Sequence, residues 1–377
     1  MDASLPPAND VPPTPFPAPP VILPPSPPPP PRKSRGWMMA AIALCVLLGI
    51  SLLFNFGQMV SSVAKLSPTR TRVGGPRLEE IMVEDHDSRD KIAVVPIEGI
   101  ISGARVDGTG YNMVDVVKEQ LRRADEDNRV AAVILKVDSP GGEVLASDEI
   151  AKAIRRFQEE SRKPVVVSMG NLAASGGYYV SAPCRYIVAN DLTITGSIGV
   201  IMSGLNYRGL MDKIGLRPMV FKSGRFKDML SGSRSPEEIP AEEKQMMQHL
   251  IYEVYGKFTN VVAQGRAEAH KANGKEGREL AADWTDYADG RVLSGAEALK
   301  LGFVDELGGF DKAVSRAAKI AGVRRPNVVE YRPIVELADL LRLFGKTEAK
   351  PLKVDLGVEL PKLKAGQPYF LYDTGIY

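Results

Sequence analysis

Pro164-Val165-Val166-Val167-Ser168-Met169-Gly170-Asn171-Leu172-Ala173-Ala174-Ser175-Gly176-Gly177-Tyr178-Tyr179 is the stretch from which the fold of this chain can be read. Its β-branched start, Pro164 to Met169, predicts a strand, and the residues after Ser175 can form a helix. A serine flanked by small residues at such a turn is sterically open. Its hydroxyl can reach a substrate carbonyl while the helix N-terminus favours developing negative charge. Ser175 is therefore the leading nucleophile candidate, set against the plainer reading of a helix-capping serine.

The same alternation continues on both sides. Ile92 to Ile97 predicts a strand, Val114 to Ala124 an amphipathic helix and Val130 to Val137 a buried strand. Asp138-Ser139-Pro140-Gly141-Gly142 then leads into a helix reaching about Glu160. This βαβα rhythm predicts an α/β domain with a mostly parallel sheet. After Met219-Val220-Phe221-Lys222 the pattern turns chiefly helical. Pro236 to about Ala269 has helical periodicity, with Ser235 and Pro236 as cap and first turn, and Phe310 to Ala321 forms a further helix. No internal repeat stands out.

The N-terminus differs sharply in composition. Proline dominates residues 6–31, so the leader, 1–35, is expected to be extended polyproline II or disordered, a spacer or a docking site for a proline-binding partner. Arg32-Lys33-Ser34-Arg35 precedes an uncharged apolar run from Trp37 to Gly57, long enough to cross a bilayer as one helix. The expected boundaries are a transmembrane helix at 36–58, a linker at 59–90, a catalytic domain at 91–331 and a C-terminal tail at 332–377. A cleaved signal peptide fits less well, because the leader is too long for one. The basic cluster before the span favours a cytoplasmic N-terminus and a globular part on the outer side of the membrane.

The 377 residues carry a net charge of +2, and 44% are hydrophobic, enough for a sizeable core. Near-balanced charge argues against nucleic acid as a partner. Cys45 and Cys184 are read as free thiols, and no zinc-ligand spacing is present.

Acyl transfer needs a nucleophile, a base and donors for the oxyanion. His86 lies in the expected linker, and His249 and His270 fall on a charged helical segment, so none is read as a triad member. A lysine base remains, with Lys222 and Lys227 as the candidates; ordinary exposed lysines are the plain alternative. The glycines of Ser139-Pro140-Gly141-Gly142 permit close substrate approach, and Gly176, directly after Ser175, offers a second amide.

Taken together, Asp138 to Gly142, Ala174 to Tyr179, Thr195-Gly196-Ser197-Ile198-Gly199-Val200 and Lys222 to Asp228 resemble the bacterial signal peptide peptidase A family of Ser–Lys membrane peptidases. Arg291 to Gly295 and Gly302 to Gly308 match a further family stretch, and the resemblance spans roughly Lys91 to Ala321. It implies a fold related to ClpP and crotonase, with Ser175 as nucleophile and Lys227 as general base. Ser197 would orient the lysine amine, and Gly142 and Gly176 would supply the oxyanion donors. No metal or organic cofactor is implied. The single-length domain resembles the family's short form, in which Ser and Lys of one site come from neighbouring subunits. That implies a homo-oligomeric ring, expected to be octameric, acting on peptides such as cleaved signal peptides.

Three rival readings stand beside it: a related peptidase acting on a stomatin-like partner, a catalytically silent scaffold, and a crotonase-like acyl-CoA enzyme. The first usually carries later membrane helices, and no later apolar run of spanning length occurs here. The apolar, aromatic Pro368 to Tyr372 is expected to pack on the domain, with a subunit contact or entry into an active-site groove as self-substrate as alternatives.

Overall fold

In the computed structural model, which describes residues 39, 41–52, 75–104, 111–334 and 369–371, the β-branched runs form the middle of a nine-stranded sheet. The first half of the chain alternates: β1 (Leu78–Glu84), β2 (Lys91–Glu98), α1 (Met113–Glu126), β3 (Val130–Ser139), β4 (Gly141–Glu143), α2 (Val144–Ser161), β5 (Val165–Ala174) and α3 (Gly176–Ser181). Then come β6 (Tyr186–Ala189), β7 (Ile194–Gly196), α4 (Arg208–Lys213) and the long α5 (Ala241–Asn273). The rest is β8 (Val292–Ser294), α6 (Gly295–Lys300), β9 (Glu306–Leu307), α7 (Phe310–Ala321), β10 (Asn327–Pro333) and β11 (Tyr369–Leu371).

The spatial order is β1-β10-β2-β3-β5-β6-β9, with β7 paired to the end of β5 and β8 to β7. From β10 to β9 every pairing is parallel; β1 and β8 join antiparallel. The central strands read as unbroken apolar runs because both faces of the sheet are covered. Alternate residues serve opposite layers. Ala93, Val95, Val133, Leu135 and Val167 share a core with Val117 and Leu121 of α1, Ile150 and Ile154 of α2, and Phe258 of α5. Ile92, Ile134, Val166 and Val188 instead meet Ala313 and Ala317, whose small side chains let α7 approach closely.

Two sequence expectations change. β1 lies inside the stretch read as linker, 59–90, and pairs with β10. As an edge strand it buries mainly Leu78, so it lacks the clear alternation that marks a half-buried strand. Ser235 does not cap the long helix. It heads a 3-10 turn, Pro236–Glu238, and Pro240 stands before α5, where a proline needs no hydrogen-bonded N–H.

Of the expected membrane span, 39 and 41–52 are described and helical; among the described residues no helix is long and apolar enough to cross a membrane. The proline-rich leader lies outside the described residues.

Candidate active site

Strand β5 delivers Ser175 to a sharp turn. Ser175 sits at φ 53° and ψ −114°, in the positive-φ region that side-chain-bearing residues avoid, a conformation costing roughly 1–3 kcal/mol. The surroundings hold it there. Its N–H donates to Gly196 O at 2.8 Å, and its carbonyl accepts from Tyr179 N at 2.8 Å as α3 begins. The residue is 1% exposed, yet among the described residues its Oγ has no hydrogen-bond partner. Buried hydroxyls are nearly always paired, so an unpaired one at a strained turn points to a group reserved for a reactant.

Helix α3 is fixed at its far end by two tyrosines. Tyr178 Oη donates to Phe303 O at 2.9 Å, and Tyr179 Oη donates to Asp148 Oδ1 at 2.8 Å. Asp148 also takes Lys152 Nζ at 2.7 Å and Lys257 Nζ at 2.9 Å. Burial pushes its carboxyl upward, but the lysines and Tyr179 outweigh that and leave it below its ordinary value.

The Ser139-Pro140-Gly141-Gly142 turn becomes β4, beside α3. Ser139 Oγ accepts from Gly141 N at 3.0 Å and donates to Gly99 O at 2.6 Å. On one side β4 is held by Ile101, whose N–H donates to Gly141 O at 2.8 Å and whose carbonyl accepts from Glu143 N at 2.8 Å. A Cβ on Gly142 would lie 1.9 Å from Ile101 O, so only glycine fits. A Cβ on Gly176 would lie 3.0 Å from Gly142 N, so the backbones of the two expected oxyanion donors approach closely. The other edge of β4 pairs antiparallel with β11, Phe370 opposite Gly142. The C-terminal segment thus lies against the strand that carries an expected oxyanion donor.

Ser197 follows β7 much as Ser175 follows β5. The two strands pair through Ala174 and Gly196, so both serines leave neighbouring strand ends. Ser197 has φ 48°, is 6% exposed and donates its N–H to Arg291 O at 2.8 Å. The lysines are elsewhere. Lys222 Nζ is engaged by Asp228 Oδ1 at 2.8 Å and Arg225 O at 3.1 Å. Lys227 is exposed, and its amine pairs with none of the described residues, neither serine included. Ser175, Ser197, Gly142 and Gly176 are therefore gathered within one chain, and Lys227 is not joined to them.

None of the histidines bonds to Ser175: His86 Nδ1 lies 2.8 Å from Pro326 O, and His249 pairs with Glu253 on an exposed helix face. Among the described residues no cluster of His, Cys, Asp and Glu could hold a metal ion. Cys184 is buried, and burial pushes its thiol pKa up. Sequence reading missed Asp148 and Glu243. Asp148 had one local signal, a lysine four residues on at Lys152; Lys257 and Tyr179 reach it only through the fold.

Residues 157–324 match the family described as Peptidase family S49. A Synechocystis sp. protein named as a protease is 36% identical over 295 residues, 76% of this chain and 97% of the relative. An Enterococcus faecium protein named as a signal peptide peptidase, SppA, is 33% identical over 309 residues, 80% of this chain and 85% of the relative. Among solved structures, the membrane-bound stomatin-specific protease 1510-N matches with a TM-score of 0.38 and 18% identity, over 66% of this chain and 100% of that one.

Proposed function

The chain belongs to peptidase family S49 and is a serine-type peptidase, and from that premise we propose that it cleaves peptides with a dyad of Ser175 and Lys227 on a ClpP/crotonase-like fold. The observation that carries this reading is the Ser175 turn: a strained, buried serine with an unpaired hydroxyl beside the paired glycines 142 and 176. Neutral Lys227 takes the proton from Ser175 Oγ, which attacks the peptide carbonyl. The amides of Gly142 and Gly176 hold the tetrahedral oxyanion, and protonated Lys227 gives its proton to the leaving amine. Water then hydrolyses the acyl-enzyme with the same lysine as base, and Ser197 orients the amine.

Lys227 comes from a neighbouring subunit in a homo-oligomeric ring, with an octamer as the proposed size. Two facts support this. Lys227 is exposed and pairs with none of the described residues, and the same lobe exposes Leu205 (87%), Met219 (82%) and Phe221 (89%), a concentration of large apolar side chains typical of an interface.

Substrate adds as an antiparallel strand to the edge of β4 that β11 occupies, the mode in which main-chain bonds give affinity and alternate side chains give specificity. The chain's own residues 369–371 use that edge, so tail and substrate compete for it. Cleaved signal peptides are the proposed substrates, following the name of the Enterococcus relative. Residues 36–58 anchor the enzyme in the membrane, with the N-terminus in the cytoplasm, the catalytic domain on the outer side and the proline-rich leader free for a partner.

The test is hydrolysis of an apolar fluorogenic peptide by the full chain, Ser175→Ala and Lys227→Ala, with assembly followed by light scattering. Both variants should lose at least about a thousandfold in kcat at unchanged assembly. Equal activity in all three would reject the site.

A further inference from the structure

Between positions 199 and 257 only one residue is buried, and it is a carboxylate. Glu243 stands in the first turn of α5, 3% exposed, in a lobe whose large apolar side chains face outward. A buried charge is costly unless it is paired and hydrogen-bonded. Both oxygens of Glu243 are. Oε1 accepts from the Leu230 N–H at 3.2 Å, and Oε2 accepts from Arg234 Nη1 at 2.7 Å.

Those two donors hold the far end of the loop that carries Lys227. Leu230 is the loop's strained residue, a non-glycine at φ 62°. Arg234 also donates to Glu238 O at 2.6 Å and lies 3.7 Å from Asp228 Oδ1. Over residues 224–231 the backbone folds into consecutive turns: Lys227 N donates to Gly224 O at 3.2 Å, Met229 N to Phe226 O at 3.1 Å and Ser231 N to Asp228 O at 3.2 Å.

The charges of the loop follow one plan. Lys222 pairs with Asp228, Arg225 with Glu242 at 2.9 Å and Arg234 with Glu243. Lys227 is the cation of the loop left without a partner among the described residues. Asp228, its immediate neighbour, is taken up by Lys222 and Arg234, which keeps a carboxylate in reach of Lys227 occupied.

We propose that Glu243 is a positioning residue for Lys227, acting through Leu230 and Arg234 on the shape of the loop and making no contact with substrate. This rests on the reading of Lys227 as the base. Glu243→Gln keeps an acceptor for Leu230 and the side-chain shape but loses the charge that holds Arg234; Glu243→Ala loses both.

In peptide hydrolysis by the full chain, Glu243→Gln should lower kcat at least fivefold and Glu243→Ala further, with KM within twofold and assembly by light scattering unchanged. If Glu243→Ala fails to assemble, Glu243→Gln decides. A residue that merely stabilised the domain would act whether or not the lysine were present. The same substitutions are therefore placed in a Lys227→Ala background, reading the rate at which a fluorophosphonate labels Ser175. That residual rate should not change. Wild-type kcat in Glu243→Gln, or an equal fall of labelling in both backgrounds, overturns the positioning role. Wild-type turnover in Lys227→Ala alone overturns the dyad instead, so the two failures are told apart.

Discussion

The strand-end serines and the lysine lobe are built by opposite rules. From Val165 to Ile198 most residues are buried and the two serines sit at strained φ; a Cβ on Gly177 would lie 2.9 Å from Ser139 O, and one on Gly176 2.8 Å from Ser147 Oγ. From Gly199 to Lys257 only Glu243 is buried, several glycines have open space around them, and Leu205, Met219 and Phe221 face outward. A nucleophile and its oxyanion donors must be held to a fraction of an ångström, and dense packing supplies that rigidity. The lysine lobe is ordered by local turns and ion pairs instead. That is the construction the proposed ring would call for in a part that packs against a neighbouring subunit.

Steric change should break this contrast most visibly. Alanine at Gly142, whose Cβ would meet Ile101 O at 1.9 Å, should shift the proposed oxyanion amide and cut kcat by about a hundredfold or more. Alanine at Gly209, which has nothing within 4 Å, should leave stability within about 0.5 kcal/mol. Peptide hydrolysis and urea unfolding of the two variants give the comparison; equal tolerance at both positions would remove it.

A smaller effect is expected at Asp148, which ties α3 to α2 and α5. Asp148→Asn should cost roughly 1–3 kcal/mol at neutral pH, since Lys152 and Lys257 lose their shared carboxylate. The folded carboxyl lies below its ordinary value, so its contribution is complete above about pH 4 and is lost as pH falls through the folded pKa. Urea midpoints of wild type and variant should therefore converge as pH drops from about 5 to 2. A constant gap across that range would place the role of Asp148 in packing.

The smallest effect on the chain itself is expected at Phe221, 89% exposed. Phe221→Ser should leave unfolding within about 0.5 kcal/mol while shifting the light-scattering mass downward. Unchanged mass would mean that this apolar surface is not the interface.

The alternating elements were legible because buried parallel strands carry unmistakable β-branched runs. Phe310–Ala321 emerges with the boundaries its periodicity predicted, and Ser175 falls on the turn that its small neighbours announced. β1 was hidden because an edge strand facing solvent needs little apolar alternation. Local sequence also marked the Gly141-Gly142 turn and the amide after Ser175, the resemblance chose Gly142 and Gly176, and chemistry proposed two lysines without choosing between them. The structure separates those two: Lys222 is spent on Asp228, and Lys227 is not.

By itself, then, the sequence determined the α/β layering and the serine turn, because period and steric openness are properties of neighbouring residues. Tertiary structure alone decided that Gly142 meets Gly176, that Tyr179 and Lys257 converge on Asp148, and that Glu243 gathers Leu230 and Arg234. Those contacts join residues whose chain spacing carries no signal, and only the packing of one element on another brings them within hydrogen-bonding reach.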